Sequence, residues 1–201
     1  ESALKMNGSD EVSFTTQVGS GAKTARINPY ADDTRLKQGD MVLLDCGATY
    51  CGYRGDISRT TVVGKGSPEI LQLLEVTAEM YDHCLEAVRP GVPSSNIAKA
   101  GVAVAERHGM KDCLWSSPNV AAGFMGHSIG TYFHEPPWID LSDNTELEEN
   151  MVLVLEPLLH KNGVGGVLIE DLILVTATGA ERVSTLDIRP WRSAQTKHAQ
   201  T

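Results

Sequence analysis

The feature that most constrains the fold is a pair of acidic residues placed next to apolar runs. Residues 41–56 read MVLLDCGATYCGYRGD. Residues 41–44 are typical of a buried strand, yet the run continues directly into Asp45, and Asp56 follows on the predicted return strand. Burying an isolated carboxylate is so costly that it normally takes up a proton or gains a cationic partner. The fold must therefore supply a partner for both acids.

A second part of the chain has the same arrangement. The segment GDMVLLD, residues 39–45, resembles ENMVLVLE, residues 149–156, and each is followed by a glycine-bearing run that carries another acid. The second pair of acids is Glu156 and Glu170. Two hairpins with the same chemistry indicate a duplicated half-domain, although a chance likeness between two apolar strands is the alternative.

Helix and strand signals together indicate an α+β fold. Ser67-Pro68-Glu69 predicts a helix start, and apolar residues on one face continue that helix until Arg89-Pro90-Gly91. A second helix is predicted from Ser95 to about Arg107. Strands are predicted at residues 41–46, 49–53, 57–63, 151–156, 167–175 and 181–183. We expect helices to cover one face of a largely antiparallel sheet.

The four acids need cations that the neighbouring sequence does not supply. Neither MVLVLEP nor VLIED contains a lysine or arginine, and four carboxylates cannot all rely on protons. Divalent metal ions fit oxygen ligands in number, and an imidazole shifts the preference toward transition metals. His127 and His134 lie in the glycine-rich and apolar segment GHSIGTYFHEPP. A lone histidine there is more often structural, but four acids favour a ligand.

Composition excludes several classes of function. The net charge of −9 and the pI near 5.1 argue against a nucleic-acid partner. No apolar run approaches the ~20 residues that span a bilayer, so no membrane partner is expected. Four cysteines without CxxC spacing favour reduced thiols and a cytoplasmic location.

These residues resemble a known family. The set Asp45, Asp56, His127, Glu156 and Glu170 is similar to the five-ligand dinuclear metal site of the creatinase/aminopeptidase, or "pita-bread", family. The motifs LLDCGATYCGYRGDISRT, GHSIGTYFHEPP, MVLVLEP and VLIED stand in the order and spacing of that family, from about residue 18 to residue 183. The resemblance implies two pseudo-symmetric half-domains, with a curved antiparallel sheet covered by helices.

The resemblance also implies a mechanism and a cofactor. In the family, Asp56 and Glu170 bridge two divalent ions, Asp45 binds one of them, and His127 with Glu156 completes the other. The ions would be Mn, Co or Zn. Glu156 would also move a proton, and His134 would hydrogen-bond the scissile carbonyl. The nearest branch is that of Xaa-Pro dipeptidases and aminopeptidases, which cleave a C–N bond in small peptides.

Two departures from the family pattern leave alternatives open. Peptidases of the family commonly have a histidine where this chain reads Ile27-Asn28-Pro29-Tyr30, and relatives often have arginine at the position of Leu168. The alternatives are a hydrolase of a non-peptide amide, such as an ectoine- or creatine-like substrate, and a non-catalytic peptide-binding module.

The resemblance extends to domain organisation. We expect residues 1–188 to form the catalytic domain, with its first helix and an N-terminal domain missing, and residues 189–201 to be a flexible tail. Members of this branch usually form homodimers through the N-terminal domain, so a homodimer is expected of the full-length protein.

Several other residues have competing interpretations. Cys46 and Cys51 are interpreted as core thiols rather than nucleophiles. Trp138 either lines a substrate pocket or is an ordinary loop aromatic. Arg54 and Arg59 either neutralise charge near the acids or form surface pairs. The remaining histidines interpreted as structural or exposed are His83, His108 and His160.

Overall fold

Three helices and a set of antiparallel strands make up the computed structural model, which describes residues 1–26, 28–116 and 122–193. The helices are α1 (Ser2–Met6), α2 (Pro68–Ala87) and α3 (Ser94–Arg107), with 3₁₀ turns at Gly21–Ala25 and Lys111–Cys113. The strands are β1 (Glu11–Val12), β2 (Gln17–Ser20), β3 (Met41–Cys46), β4 (Ala48–Tyr50), β5 (Tyr53–Arg54), β6 (Ile57–Val62), β7 (Gly126–Ser128), β8 (Glu135–Ile139), β9 (Val152–Leu155), β10 (Leu158–Lys161), β11 (Gly165–Leu168), β12 (Asp171–Thr176) and β13 (Gly179–Arg182). Among the described residues, no helix has the length and apolar character needed to cross a membrane.

Two sheets carry the architecture. One has the strand order β2-β3-β6 and the other has the order β13-β12-β9-β7-β8. Every pairing within them is antiparallel. Helices α2 and α3 pack on each other, and α2 also contacts β9, β10, β11 and β13. The predicted α+β class is confirmed.

The two halves repeat one topology. Strand β3 leads into the hairpin β4–β5 and then pairs with β6, just as β9 leads into the hairpin β10–β11 and then pairs with β12. The two sheets meet where Ser58 and Glu170 exchange backbone hydrogen bonds of 3.3 and 3.1 Å. The predicted pair of similar hairpins is therefore present, and its two members are joined beside Glu170.

Helix α2 begins and packs as its sequence indicates. The Ser67 side chain accepts a hydrogen bond from the backbone N–H of Ile70 at 3.2 Å, and Pro68 occupies the first turn. Leu74, Tyr81 and Cys84 on the predicted face are fully or almost fully buried. All three belong to the hydrophobic core, which also includes buried residues of β9, β11 and β12.

Two predicted strands are each interrupted. The run 49–53 is the hairpin β4–β5, because Cys51 and Gly52 have φ values of 49° and 81° and reverse the chain. The run 167–175 divides into β11 and β12, because the chain changes its pairing partner at Glu170. Strands β1, β2, β7, β8 and β10 were not among the predicted strands, although β7 carries His127.

The segment that was expected to be a flexible tail begins as packed structure. Trp191 is 1% exposed, and its indole N–H donates to Glu75 on α2 at 2.8 Å. Arg189 forms an ion pair with Asp82 on the same helix. Residues 189–193 are therefore held against α2, and residues 194–201 lie outside the described residues.

Replacing Trp191 by alanine tests this packing. Because the indole is buried against α2, we expect Trp191→Ala to lower the free energy of unfolding by about 3–5 kcal/mol. Leu186→Ala, at a side chain that is 55% exposed, is the matched control and should cost much less. Chemical denaturation of both variants measures the difference, and equal small effects would contradict the packing.

Candidate metal centre

Five strand ends bring the predicted ligands to one cavity of about 630 Å³. Asp45 lies in β3 and Asp56 directly precedes β6, so both come from the first sheet. His127 lies in β7, Glu156 follows β9, and Glu170 lies between β11 and β12. All five line the cavity, together with His134. These residues, which are far apart in the sequence, therefore converge on one cavity.

The five side chains form a connected cluster. Ligand atoms of Asp56, His127 and Glu170 all lie within 4.8 Å of one another. The carboxyls of Asp45 and Asp56 lie close together, and so do those of Asp56 and Glu170. On the other side, His127 Nε2 is 3.3 Å from Glu156 Oε1. Asp45 is thus next to Asp56, and Glu156 is next to His127.

The donor set fits a divalent metal ion. Asp45, Asp56 and Glu170 are 6%, 4% and 2% exposed, and each has one buried carboxyl oxygen without a hydrogen-bond partner among the described residues. Such oxygens normally find a partner, since an unsatisfied buried acceptor costs free energy. Four carboxylates and one imidazole are ligands that suit Mn²⁺, Co²⁺ or Zn²⁺.

Burial and mutual repulsion raise the pKa values of these acids. Burial raises the pKa of Asp45 to about 7, and the charge of Glu156 adds to the effect. Burial, followed by the charges of Asp45 and Glu156, raises the pKa of Asp56 to about 9. The pKa of Glu170 is raised well above its usual value by the same causes. A divalent cation would reverse these shifts by favouring the ionised forms.

His127 has its metal-binding nitrogen set by the backbone. Its Nδ1 lies 2.7 Å from the carbonyl oxygen of Ser128, and because a carbonyl only accepts, Nδ1 must carry the proton. Nε2 is then the nitrogen placed to act as a ligand, on the side of Glu156.

A glycine lets β7 approach β9 closely enough to present His127. Gly126 has φ = 145°, and a Cβ added there would lie 2.0 Å from the carbonyl oxygen of Val154. Only glycine therefore fits beside His127 in this position. The glycine in the motif GHS is a steric requirement of the site.

His134 lies beside the cluster without joining it. Its ring centroid is 4.3 Å from that of His127, with the two rings nearly perpendicular. Desolvation, and then the neighbouring His127, lower the pKa of His134. The ring is therefore neutral at pH 7 and can donate one hydrogen bond into the cavity.

The cavity wall includes residues that the sequence did not reveal. Trp138 lines it, which resolves the two interpretations of that residue, and the other aromatic members are Trp115, Phe124 and Phe133. His160, which was interpreted as structural or exposed, also lines the cavity. Trp138 lies in β8, whereas Trp115, Phe124 and Phe133 lie in loops, so no spacing in the sequence marked the wall as a whole.

The positions that depart from the family pattern also face this cavity. Asn28 and Leu168 both line it, whereas Ile27 lies outside the described residues. Arg26 contributes to the same wall. The missing histidine and the missing arginine therefore alter the cavity itself.

The arginines and cysteines near the acids have different surroundings. Arg59 pairs with the fully buried Asp171 at 2.8 Å, so it is no surface pair. Arg54 donates to the backbone carbonyls of Ser13 and Thr131. Burial, and then the charge of Asp45, raise the pKa of Cys46, which disfavours a thiolate nucleophile there.

The fold consists of two similar α+β halves, and carboxylates and a histidine converge where the halves meet. This arrangement is typical of proteins with a carboxylate-rich metal site. The sequence matches the metallopeptidase family M24 over residues 1–177. The chain belongs to that family.

Individual relatives agree with this assignment to the metallopeptidase family. The chain is 34% identical over 184 residues to an Xaa-Pro dipeptidase of Pyrococcus furiosus, covering 92% of this chain and 51% of that protein. The structure resembles the prolidase of Pyrococcus horikoshii with a TM-score of 0.85, 32% identity, and coverage of 91% of this chain and 51% of the other. An X-Pro aminopeptidase of Thermotoga maritima gives a TM-score of 0.86 at 28% identity, covering 94% and 51%. The chain thus has the pita-bread fold and spans about half the length of these relatives.

The raised pKa values predict how stability depends on pH when metal is removed. A carboxyl whose folded pKa lies above its unfolded value stabilises the fold below the unfolded pKa, and that contribution is lost as pH rises. With a chelator present, the Tm should fall from about pH 4 to pH 9, the window set by the ordinary value of 3.8 and the raised value of about 9.

The measurement is a thermal melt across this window, with and without Mn²⁺. We expect added metal to raise the Tm more at pH 8 than at pH 5, because ionised carboxylates bind it better. Asp56→Asn should flatten the pH dependence of the chelated protein. A Tm that rises with pH in chelator would refute the explanation.

Proposed function

We propose that the protein is a metal-dependent hydrolase that cleaves a C–N bond in small peptides, in the manner of an Xaa-Pro dipeptidase or aminopeptidase. The observation that carries the proposal is the convergence of Asp45, Asp56, His127, Glu156 and Glu170 on one cavity, with unsatisfied buried carboxyl oxygens. Membership in a metallopeptidase family and likeness to named Xaa-Pro dipeptidases support it. Because those relatives are about twice as long, the activity is proposed for the intact protein.

The proposed cofactor is a pair of divalent ions, Mn, Co or Zn. Asp56 and Glu170 would hold both ions, Asp45 would complete one site, and His127 with Glu156 would complete the other. The proximity of Asp45 to Asp56 and of Glu156 to His127 supports this division. When bound, such ions lower the pKa of water and polarise a carbonyl, which is the chemistry that amide hydrolysis needs.

Glu156 is the proposed proton carrier. Its side chain is 17% exposed, so it is more accessible than the other three acids and can reach both the cluster and the open cavity. A carboxylate at that boundary can accept a proton from the nucleophile and return it to the leaving nitrogen.

His134 is the proposed donor to the substrate. The neutral ring offers one N–H next to His127, where the scissile carbonyl of a bound substrate would lie. A donor aimed at the developing negative charge stabilises the transition state more than the ground state.

Three further properties of the intact protein are also proposals. We propose that residues 1–188 form the catalytic domain, that the protein is cytoplasmic, and that it is a homodimer. Free thiols at all four cysteines support a reducing compartment. The dimer follows from the family resemblance, and light scattering of the intact protein would test it.

A second candidate function follows from the altered cavity wall. Asn28 and Leu168 replace groups common in the peptidases, which favours a non-peptide amide such as an ectoine- or creatine-like compound. A non-catalytic peptide-binding role has less support, because binding a peptide does not require the complete set of candidate metal ligands.

A substrate screen separates these functions. With Mn²⁺ or Co²⁺ added, we expect the intact protein to release proline from Xaa-Pro dipeptides and Asp56→Asn to abolish this release. Turnover of small cyclic or guanidino amides alone would establish the second candidate. Peptide binding without any turnover, and without stoichiometric metal, would establish the binding role.

His134→Gln tests the assignment of the substrate donor. Removing one such donor typically costs ~10²–10³ in kcat. We expect that loss with little change in metal content, since His134 does not join the ligand cluster. His83→Gln, on the exposed side of α2, is the matched control. A kcat within threefold of the unmodified protein would remove His134 from this role.

A further inference from the structure

Arg59 occupies an unusual position at the junction of the two sheets. It projects from β6, and its side chain is only 12% exposed. Its Nη1 donates to the carbonyl oxygens of Ser58 and Glu170, both at 2.7 Å. Its Nη2 contacts both carboxylate oxygens of Asp171, at 2.8 and 3.0 Å. One guanidinium thus joins β6 to the segment that carries a candidate metal ligand.

The same side chain also reaches the C-terminal segment. Nε donates to the carbonyl of Asp187 at 2.8 Å, and Nη2 is 3.1 Å from the carbonyl of Leu186. Every nitrogen of Arg59 therefore has an acceptor. The planar guanidinium uses all of its nitrogens in hydrogen bonds, and a lysine side chain cannot reproduce this geometry.

The contacts of Arg59 surround the atoms that place two ligands. Ser58 and Glu170 form the backbone bridge between the sheets, with hydrogen bonds of 3.3 and 3.1 Å. Asp56 precedes Ser58 by two residues, and Glu170 is itself a member of the cluster. A guanidinium that binds both carbonyls at this bridge limits how far Asp56 and Glu170 can move apart.

Asp171 fixes the guanidinium from the other side. Its side chain is fully buried, so its charge needs a close partner. Arg182 also approaches it, but at 3.7 Å, and Arg182 is 28% exposed. Arg59 is thus the nearer and more buried partner of this carboxylate among the described residues.

We propose that Arg59 and Asp171 form a positioning pair that sets the separation of Asp56 and Glu170 for metal binding. The inference depends on the metal-dependent function proposed above. Neither residue lines the cavity, so neither is a catalytic residue. Their effect on the site passes through the backbone bridge between Ser58 and Glu170.

The test is Mn²⁺ affinity, measured by calorimetry on the intact protein after chelator treatment and removal of the chelator. Outer partners of metal ligands typically change affinity 10–100-fold. We expect Arg59→Gln to weaken the average Kd within this range, and Arg59→Lys to weaken it less, because lysine keeps the charge but reaches fewer acceptors. The matched control is Arg182→Gln, which touches the same Asp171 and the carbonyl of Leu186 but not Glu170.

A second measurement separates positioning from general stability. The Tm of each metal-free variant is recorded beside its Kd. A merely structural role would lower the Tm of the Arg59 variants and leave the Kd within threefold of the unmodified protein, which would overturn the proposal. An equal loss of affinity in Arg182→Gln would also overturn it.

An isosteric variant covers the case in which the Arg59 variants do not fold. Asp171→Asn keeps the shape of the side chain and removes the charge that fixes the guanidinium. We expect at least a tenfold weaker Kd for Mn²⁺ in that variant, and an unchanged Kd would overturn the inference. If the unmodified protein binds no divalent ion, the proposed function fails together with the inference, whereas metal binding with no effect at Arg59 rejects the inference alone.

Discussion

The structure depends on bringing four carboxylates together in one cavity. Their repulsion and desolvation oppose folding, and the same two causes raise the pKa values of Asp45, Asp56 and Glu170. The surrounding fold has to outweigh this cost with buried apolar surface. It does so with the core beneath the second sheet, where α2 packs against β9 and β11. The site is thus a destabilising region of the fold, and the well-packed core offsets its cost. The donor set indicates that a bound cation would reduce the repulsion among the carboxylates.

Residues at increasing distance from the candidate ligands hold the site in place. The backbone orients His127 through the carbonyl of Ser128, and Gly126 permits the close approach of β7 to β9. Beyond them, Arg59 connects the bridge between the sheets to Asp171 and to the C-terminal segment. Each of these contributions is of a different kind. The hydrogen bond to Ser128 fixes the tautomer of His127, the missing side chain of Gly126 leaves room for β9, and Arg59 forms a buried ion pair. Packing of Trp191 against α2 holds the outermost part in place.

Much of this arrangement could be read from the sequence, because buried acids in apolar strands are physically conspicuous. The α2 start at Ser67, the paired hairpins and the convergence of all five candidate ligands followed from residue chemistry and family resemblance. The turn at Cys51 was missed because a non-glycine residue there adopts positive φ, and the break at Glu170 was missed because one apolar run serves two sheets. Apart from Trp138, for which a place in a pocket wall was one interpretation, the aromatic wall was invisible for another reason. Trp115, Phe124 and Phe133 meet only through tertiary folding and share no period in the chain.

The division of the ligands between the halves has a consequence for how the site is assembled. The first sheet supplies Asp45 and Asp56, and the second supplies His127, Glu156 and Glu170. Neither half alone holds enough donors to enclose a pair of ions. The candidate site is therefore complete only when both halves are folded and in contact, so its assembly reports on the docking of one half against the other.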